Sequence, residues 1–147
     1  MPGKTGAALR SGIMTLKRLG LTNFPNGIHS FFVSNNAVEK TEAYTVVITT
    51  DSGKTFVSKL DTMVFTLPAI AIGNTVTFVN MAEDGQAVMS ISPNADDGIT
   101  YAGTATDDKD LINTKATAKK GDFVTLASLD GVVAWQVVDV RGIWAKE

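Results

Sequence analysis

From residue 44 onward, short apolar runs alternate with polar residues at a period of two, and turn residues break them roughly every ten positions. Tyr44-Thr45-Val46-Val47-Ile48-Thr49 is rich in β-branched residues, Asp51-Ser52-Gly53-Lys54 supplies a turn, and Thr55-Phe56-Val57 returns from it. That combination predicts a β-hairpin. Residues 62–67, 75–80 and 86–91 predict further strands, closed by Pro68, opened by Gly73-Asn74, and separated by Glu83-Asp84-Gly85. Late in the chain, Lys120-Gly121-Asp122 leads into a strand over 123–126, Asp130-Gly131 into one over 132–140, and residues 142–145 into a last one. Residues 96–118 are polar and rich in Thr, Ala and Asp; they read as a long excursion with one short ladder at Leu111-Ile112-Asn113. Eight or nine strands with no helical segments between them exclude βαβ units and predict an all-β domain, an antiparallel β-sandwich or barrel. No heptad or repeated motif is apparent.

Residues 1–27 break this pattern. Gly3, Gly6, Gly12 and Gly20 are scattered through them, and Pro25 and Asn26-Gly27 mark a turn. Leu9, Ile13, Leu16 and Leu19 approximate helical spacing, with Gly12 costing such a helix about 1 kcal/mol. The expected organisation is an N-terminal arm over 1–27 followed by a β domain over 28–147.

Charge divides the chain at almost the same place. Residues 1–38 hold Lys4, Arg10, Lys17 and Arg18 and no acid; the rest holds 9 basic and 15 acidic residues, for +4 against −6. Four scattered cations are thin for nucleic-acid binding, which clusters Lys and Arg on one face, and suit an arm lying on an acidic protein surface. The 147 residues suffice for one domain with a core that needs no staples, and 44% hydrophobic against 19% charged residues fits a globular chain. The absence of cysteine excludes disulfides, thiol nucleophiles and iron–sulfur clusters, and a single histidine, His29, excludes a multi-His metal site. No apolar run is long enough to span a membrane, and no secretory signal core is visible at the N-terminus.

Candidate chemistry is sparse. Asp96-Asp97 and Asp107-Asp108-Lys109-Asp110 lack the spacing of a calcium loop and read as solvated loop acids. A Ser-His-Asp triad would need His29, no GxSxG surrounds any serine, and no glycine-rich phosphate loop occurs. Trp135, Trp144 and Tyr101 are candidate stacking residues for a sugar, although a Trp on a C-terminal strand more often serves a core or an interface. The reading is a non-enzyme with no cofactor and no metal. Its sites are then contact residues: Lys4, Leu9, Arg10, Ile13, Leu16, Lys17, Arg18 and Leu19 of the arm, with Phe31, Phe32, Trp135 and Trp144 as a possible oligomer interface.

Residues 55–93, TFVSKLDTMVFTLPAIAIGNTVTFVNMAEDGQAVMSISP, resemble a segment of structural proteins of tailed-phage virions. Residues 107–147 resemble them more closely, through KDLINTKATA at 109–118, Lys120-Gly121-Asp122 and Gly142-Ile143-Trp144-Ala145. The family is that of the small head-decoration, or cement, proteins, and related segments also look like modules of tail-fibre-type proteins. The resemblance implies a β-rich, non-catalytic subunit on the outer capsid surface of the virion, made in the host bacterial cytoplasm. It also implies binding to the major capsid protein and self-association as a homotrimer, with no direct nucleic-acid or membrane contact. The alternative it leaves open is a receptor- or glycan-binding module of a phage tail fibre.

Overall fold

The computed structural model describes residues 36–130 and 134–147. The arm, His29, Phe31, Phe32 and the expected boundary at residue 28 lie outside the described residues. The β unit they do cover is compact and runs Ala37–Glu147.

Twelve strands and one helical turn are described. In chain order these are β1 (Ala37–Glu39), β2 (Tyr44–Thr45), α1 (Ile48–Asp51), β3 (Thr55–Ser58), β4 (Met63–Thr66), β5 (Thr75–Asn80) and β6 (Met89–Ser92). They continue with β7 (Gly98–Tyr101), β8 (Thr104–Asp107), β9 (Leu111–Asn113), β10 (Asp122–Ala127), β11 (Ala134–Arg141) and β12 (Ala145–Lys146). One sheet has seven strands in the order β1-β3-β5-β10-β11-β7-β8, the other five in the order β12-β9-β6-β4-β2. The fold is all-β, as expected.

The connectivity is not the expected antiparallel one. From β1 to β6 the chain alternates between the sheets, so that β1, β3 and β5 run parallel in one sheet and β2, β4 and β6 run parallel in the other. Parallel neighbours need a crossover; here each crossover is a strand of the opposite sheet. The predicted hairpin about Asp51-Ser52-Gly53-Lys54 is therefore absent: β2 and β3 lie in different sheets, and 48–51 form α1 instead of a strand. A local cause is Asp51, whose Oδ2 accepts the backbone N–H of Val47 at 2.8 Å and closes a helical turn on the link. Antiparallel pairing enters with the second half of the chain, in β10 with β5 and β11, β7 with β8, and β9 with β6 and β12.

The parallel winding exposes a repeat that periodicity alone concealed. Thr55-Phe56-Val57-Ser58 lies in register against Thr77-Phe78-Val79-Asn80, so the tetrapeptide TFV(S/N) occupies successive coils of the seven-stranded sheet. Met63 and Phe65 pair likewise with Met89 and Ile91 in the other sheet. The polar excursion 96–118 is also more ordered than its composition suggests. It contains the hairpin β7–β8, turned at Ala102 (φ 55°) and Gly103 (φ 83°). A two-residue turn with both φ values positive matches the twist of the flanking strands.

Alternation along each strand sends one face inward. Phe56, Val76, Phe78, Val124 and Leu126 of the seven-stranded sheet meet Met63, Phe65, Met89, Ile91 and Leu111 of the five-stranded one in a single core. The centroid of Phe65 is 4.7 Å from that of Phe78 and 5.8 Å from that of Phe56, so rings from the two sheets touch directly. Full burial of each such ring contributes roughly 1.5–3 kcal/mol.

One end of this core is polar. Ser58, Asn80 and Asp122 are adjacent in register across β3, β5 and β10, all three buried, and they replace the apolar rows. Asn113 of β9 faces them from the other sheet. Its side chain accepts from Asn80 Nδ2 at 2.8 Å and donates to Asp122 Oδ2 and to the carbonyl of Ile143, each at 3.0 Å. Gly142 makes room for this network: a Cβ there would lie 2.2 Å from Asp122 Cγ, on a backbone at φ 95°. Gly142→Ala is expected to cost roughly 2–4 kcal/mol, through left-handed strain and displacement of a buried carboxylate. A drop in the urea midpoint with unchanged slope measures it.

Candidate functional site

The links between strands gather at two ends of the sheets, and the two ends differ in chemistry. At the first, the links after β3, β5 and β9 are held to one another. Met81 N donates to the Ser58 carbonyl, Gly121 N to that of Asn80 and Gly85 N to that of Ala118, at 2.7–3.0 Å. Ion pairs lie on the outside: Lys115 with Asp61, Lys120 with Glu83 at 3.1 Å, and Lys119 with Asp84 at 3.5 Å. The Lys115 ammonium, and behind it the N–H of Val88, hold the Asp61 carboxyl below its ordinary range. Asp84 is lowered chiefly by the Lys120 backbone N–H. These pairs are solvent-exposed and contribute little to stability individually.

The second end carries fewer ion pairs among the described residues, Lys54 with Asp51, while exposed apolar side chains occur at both ends, Leu60 and Ile143 standing at the first. Gly53 N donates to the Thr75 carbonyl, Gly73 N to that of Ser128, and Ser128 N to that of Asn74, which brings together the links before β3, before β5 and after β10. Three large apolar side chains stand on these links in solvent: Val47, Ile72 and Leu129, the last two 69% and 59% exposed. Beneath Leu129 the hydroxyl of Ser128 is fully buried without a hydrogen-bond partner among the described residues. The β unit begins at this end, since Ala37 pairs with Thr55.

Beside this end lies a strongly constrained acid of the links. Asp51 is buried and accepts from Tyr44 Oη and Val47 N, each at 2.8 Å, and from Lys54 Nζ at 3.3 Å. Tyr44 in turn leans on Phe56 at 5.2 Å, with Lys40 Nζ 3.3 Å above its ring. Burial works to raise the Asp51 carboxyl, but the Val47, Tyr44 and Lys54 donors outweigh it and leave it lowered. Tyr44 is raised, first by donating to Asp51 and then by burial.

The singled-out residues that are described do not share a common site. Trp135 and Trp144 are buried within the core of one chain, their indole N–H groups donating to the Pro68 and Arg141 carbonyls at 3.3 and 3.0 Å. Neither ring is available to a neighbouring subunit or to a sugar, which corrects the interface and stacking roles expected of them. Tyr101 is half-buried against the same core. The acid clusters need correcting in part, since Asp96 and Asp108 are exposed as expected. Asp97 is buried and accepts Ile70 N at 2.9 Å, tying two links together, and Asp110, half-buried, accepts from Ser90 Oγ of β6. Among the described residues no three His, Cys, Asp or Glu side chains converge as a metal site would require. The arm residues Lys4, Leu9, Arg10, Ile13, Leu16, Lys17, Arg18 and Leu19 lie outside the described residues. Sequence reading passed over Val47, Ile72 and Leu129; Ile72 had a signal, an apolar residue directly before the turn pair Gly73-Asn74.

Among known proteins, no family model matches the chain, and no curated protein matches it.

The lowered Asp51 carboxyl sets a pH dependence. A carboxyl whose pKa falls on folding stabilises above its unfolded value of about 3.9, and that contribution is lost as pH falls through the folded value. Asp51→Asn is therefore expected to lower the melting temperature at neutral pH and to narrow its gap to the parent protein as pH falls below about 4. Thermal melts across the acid range check both statements.

Proposed function

We propose that the protein is a virion structural subunit that decorates and stabilises the outer surface of a tailed-phage capsid, acting by binding and not by chemistry. The observation that carries the reading is the partition of charge, +4 over residues 1–38 against −6 over the rest. A cationic segment attached to an acidic body suits a strap laid across an acidic protein shell that would repel the body alone. Further support comes from the interior of the β unit. Apart from the Ser128 hydroxyl, its buried polar side chains are engaged in closing the fold: Asn80 and Asp122 through Asn113, Asp51 with Tyr44, Val47 and Lys54, Asp97 with the loop at Ile70. The resemblance of residues 55–93 and 107–147 to head-decoration proteins points the same way, with the major capsid protein as partner. Attachment energy then comes from many weak contacts summed over a lattice of copies. The alternative glycan-binding role keeps only Tyr101 of its three candidate stacking residues, since Trp135 and Trp144 are buried.

Deleting residues 1–22 removes all four cations of the leading segment and the apolar residues at 9, 13, 14, 16 and 19. The truncated protein is expected to keep its β circular dichroism while failing to bind particles stripped of their own copies. Co-sedimentation measures bound copies per particle; occupancy equal to that of the full chain would move the capsid contact from the arm to the β body and overturn the charge argument.

A further inference from the structure

We infer that a second copy of this chain pairs with the outer half of β11, joining two seven-stranded sheets through the stretch of β11 that runs past its pairing with β7, about a two-fold axis at Val140. The inference is independent of the capsid reading. β11 is the longest strand, yet β7 covers only Ala134, Trp135 and Gln136 on the side away from β10. On that side no described strand pairs with residues 137–141. An unpaired strand edge is a template for another chain. Its backbone direction can be read from one bond. The N–H of Val140 donates to the Oδ1 of the preceding residue, Asp139, at 2.9 Å. That N–H is therefore turned away from β10, and the carbonyl of Val140 shares its direction, as in any extended strand.

The residues about Val140 complement themselves. Antiparallel pairing with Val140 opposite its own copy sets Asp139 opposite the second copy's Arg141, and Arg141 opposite its Asp139. Asp139 and Arg141 are both exposed and stand on one face of the strand, so two opposite-charge cross-strand pairs form at once. Val140, half-buried on the other face against the core, would meet its own copy and extend the apolar layer. Val138, 50% exposed at the bulge between the 125 and 126 registers, lies beside the new seam. The carboxylate that now satisfies the Val140 N–H is released to Arg141 of the other copy, while the N–H takes the other copy's carbonyl. No polar group is left unpaired in the exchange. An isologous contact of this kind closes on two copies, in place of the trimer that the resemblance implies.

Sedimentation equilibrium of the full chain is expected to give twice the 15.5 kDa chain mass. Asp139→Arg and Arg141→Asp each set like charges opposite one another and are expected to weaken association about tenfold, while the double exchange restores it. The chain has no cysteine, so single replacements report proximity cleanly. Directly paired residues bring their Cα atoms to about 5.5 Å, within disulfide reach. Val140→Cys should therefore cross-link to a covalent dimer under mild oxidation. Val138→Cys should not, because the two copies of residue 138 are offset by four residues, about 13 Å along the strand. Cross-linking in an otherwise unaltered chain reads the contact even where a charge reversal disturbs folding. A monomer, or an oligomer indifferent to both reversals and not cross-linked through residue 140, overturns the inference and leaves the bulge and the Asp139 side chain as devices that close the edge.

Discussion

The contact of Phe65 with Phe78 and Phe56 is the constraint on which the rest of the β unit depends. Phe65 belongs to one sheet and the other two rings to the opposite one. The chain passes through Phe56, Phe65 and Phe78 in turn, crossing the core at each step. Neither parallel half-sheet is continuous in sequence, so each coil is held by the face it presents to the other sheet as much as by its own ladder. Phe56 and Phe78 are register partners and stack at 5.9 Å. A slip of one residue in either strand would turn its phenyl ring to solvent and Val57 or Val79 inward. Register is thus fixed by burial across the sheets, without a hairpin turn to set it.

The same inward face that supplies the rings ends in polar residues, and this limits the core in one direction. Ser58, Asn80 and Asp122 form a row at the height where the strands leave their sheets. Buried amide and carboxylate groups are costly unless hydrogen-bonded. Here the partners come from the opposite sheet through Asn113, from the Lys119 N–H and from the link at Ile143. A network that spans both sheets adds directional specificity to an otherwise non-directional apolar contact. It also explains why a glycine sits at 142, where the carboxyl of Asp122 occupies the space of a side chain. At the opposite end Asp51 supplies a smaller closure, within the one link it shares with Val47 and Lys54 and to Tyr44.

The sequence shows strands more readily than it shows how they are joined. The strands over 63–66, 75–80 and 122–127 were legible because alternation and flanking turn residues agree there. Two-residue periodicity reports which face is buried and says nothing of whether a neighbour runs parallel or antiparallel. The hairpin expected at residues 51–54 failed for that reason: a turn signal marks where a strand stops, not which sheet the next strand joins. The recurrence of TFVS as TFVN, twenty-two residues apart by the Thr55–Thr77 register, was a legible sign of coiling. It was hidden because only four residues recur and the links between them differ in length. The hairpin over 98–107 was obscured because Gly, Thr and Ala carry little hydrophobic pattern. Trp135 and Trp144 illustrate a different limit. Residue type proposes a contact, but only packing decides whether the partner is the chain's own core.

What remains for binding is therefore surface, and its distribution is uneven. The ion-paired end has its charges matched locally, and such exposed pairs offer a partner little that water does not. The end with Val47, Ile72 and Leu129 and the outer half of β11 are different in kind, because each holds area or backbone that no described residue covers. Neither is large among the described residues: three side chains at one, five residues of strand at the other. Contacts of that size give weak association one at a time. They become effective when many copies bind side by side, because each further contact forms at high effective concentration. A small β unit with modest patches on separate faces suits such repetition better than it suits a single tight complex, which is what the proposed role in a lattice would draw on.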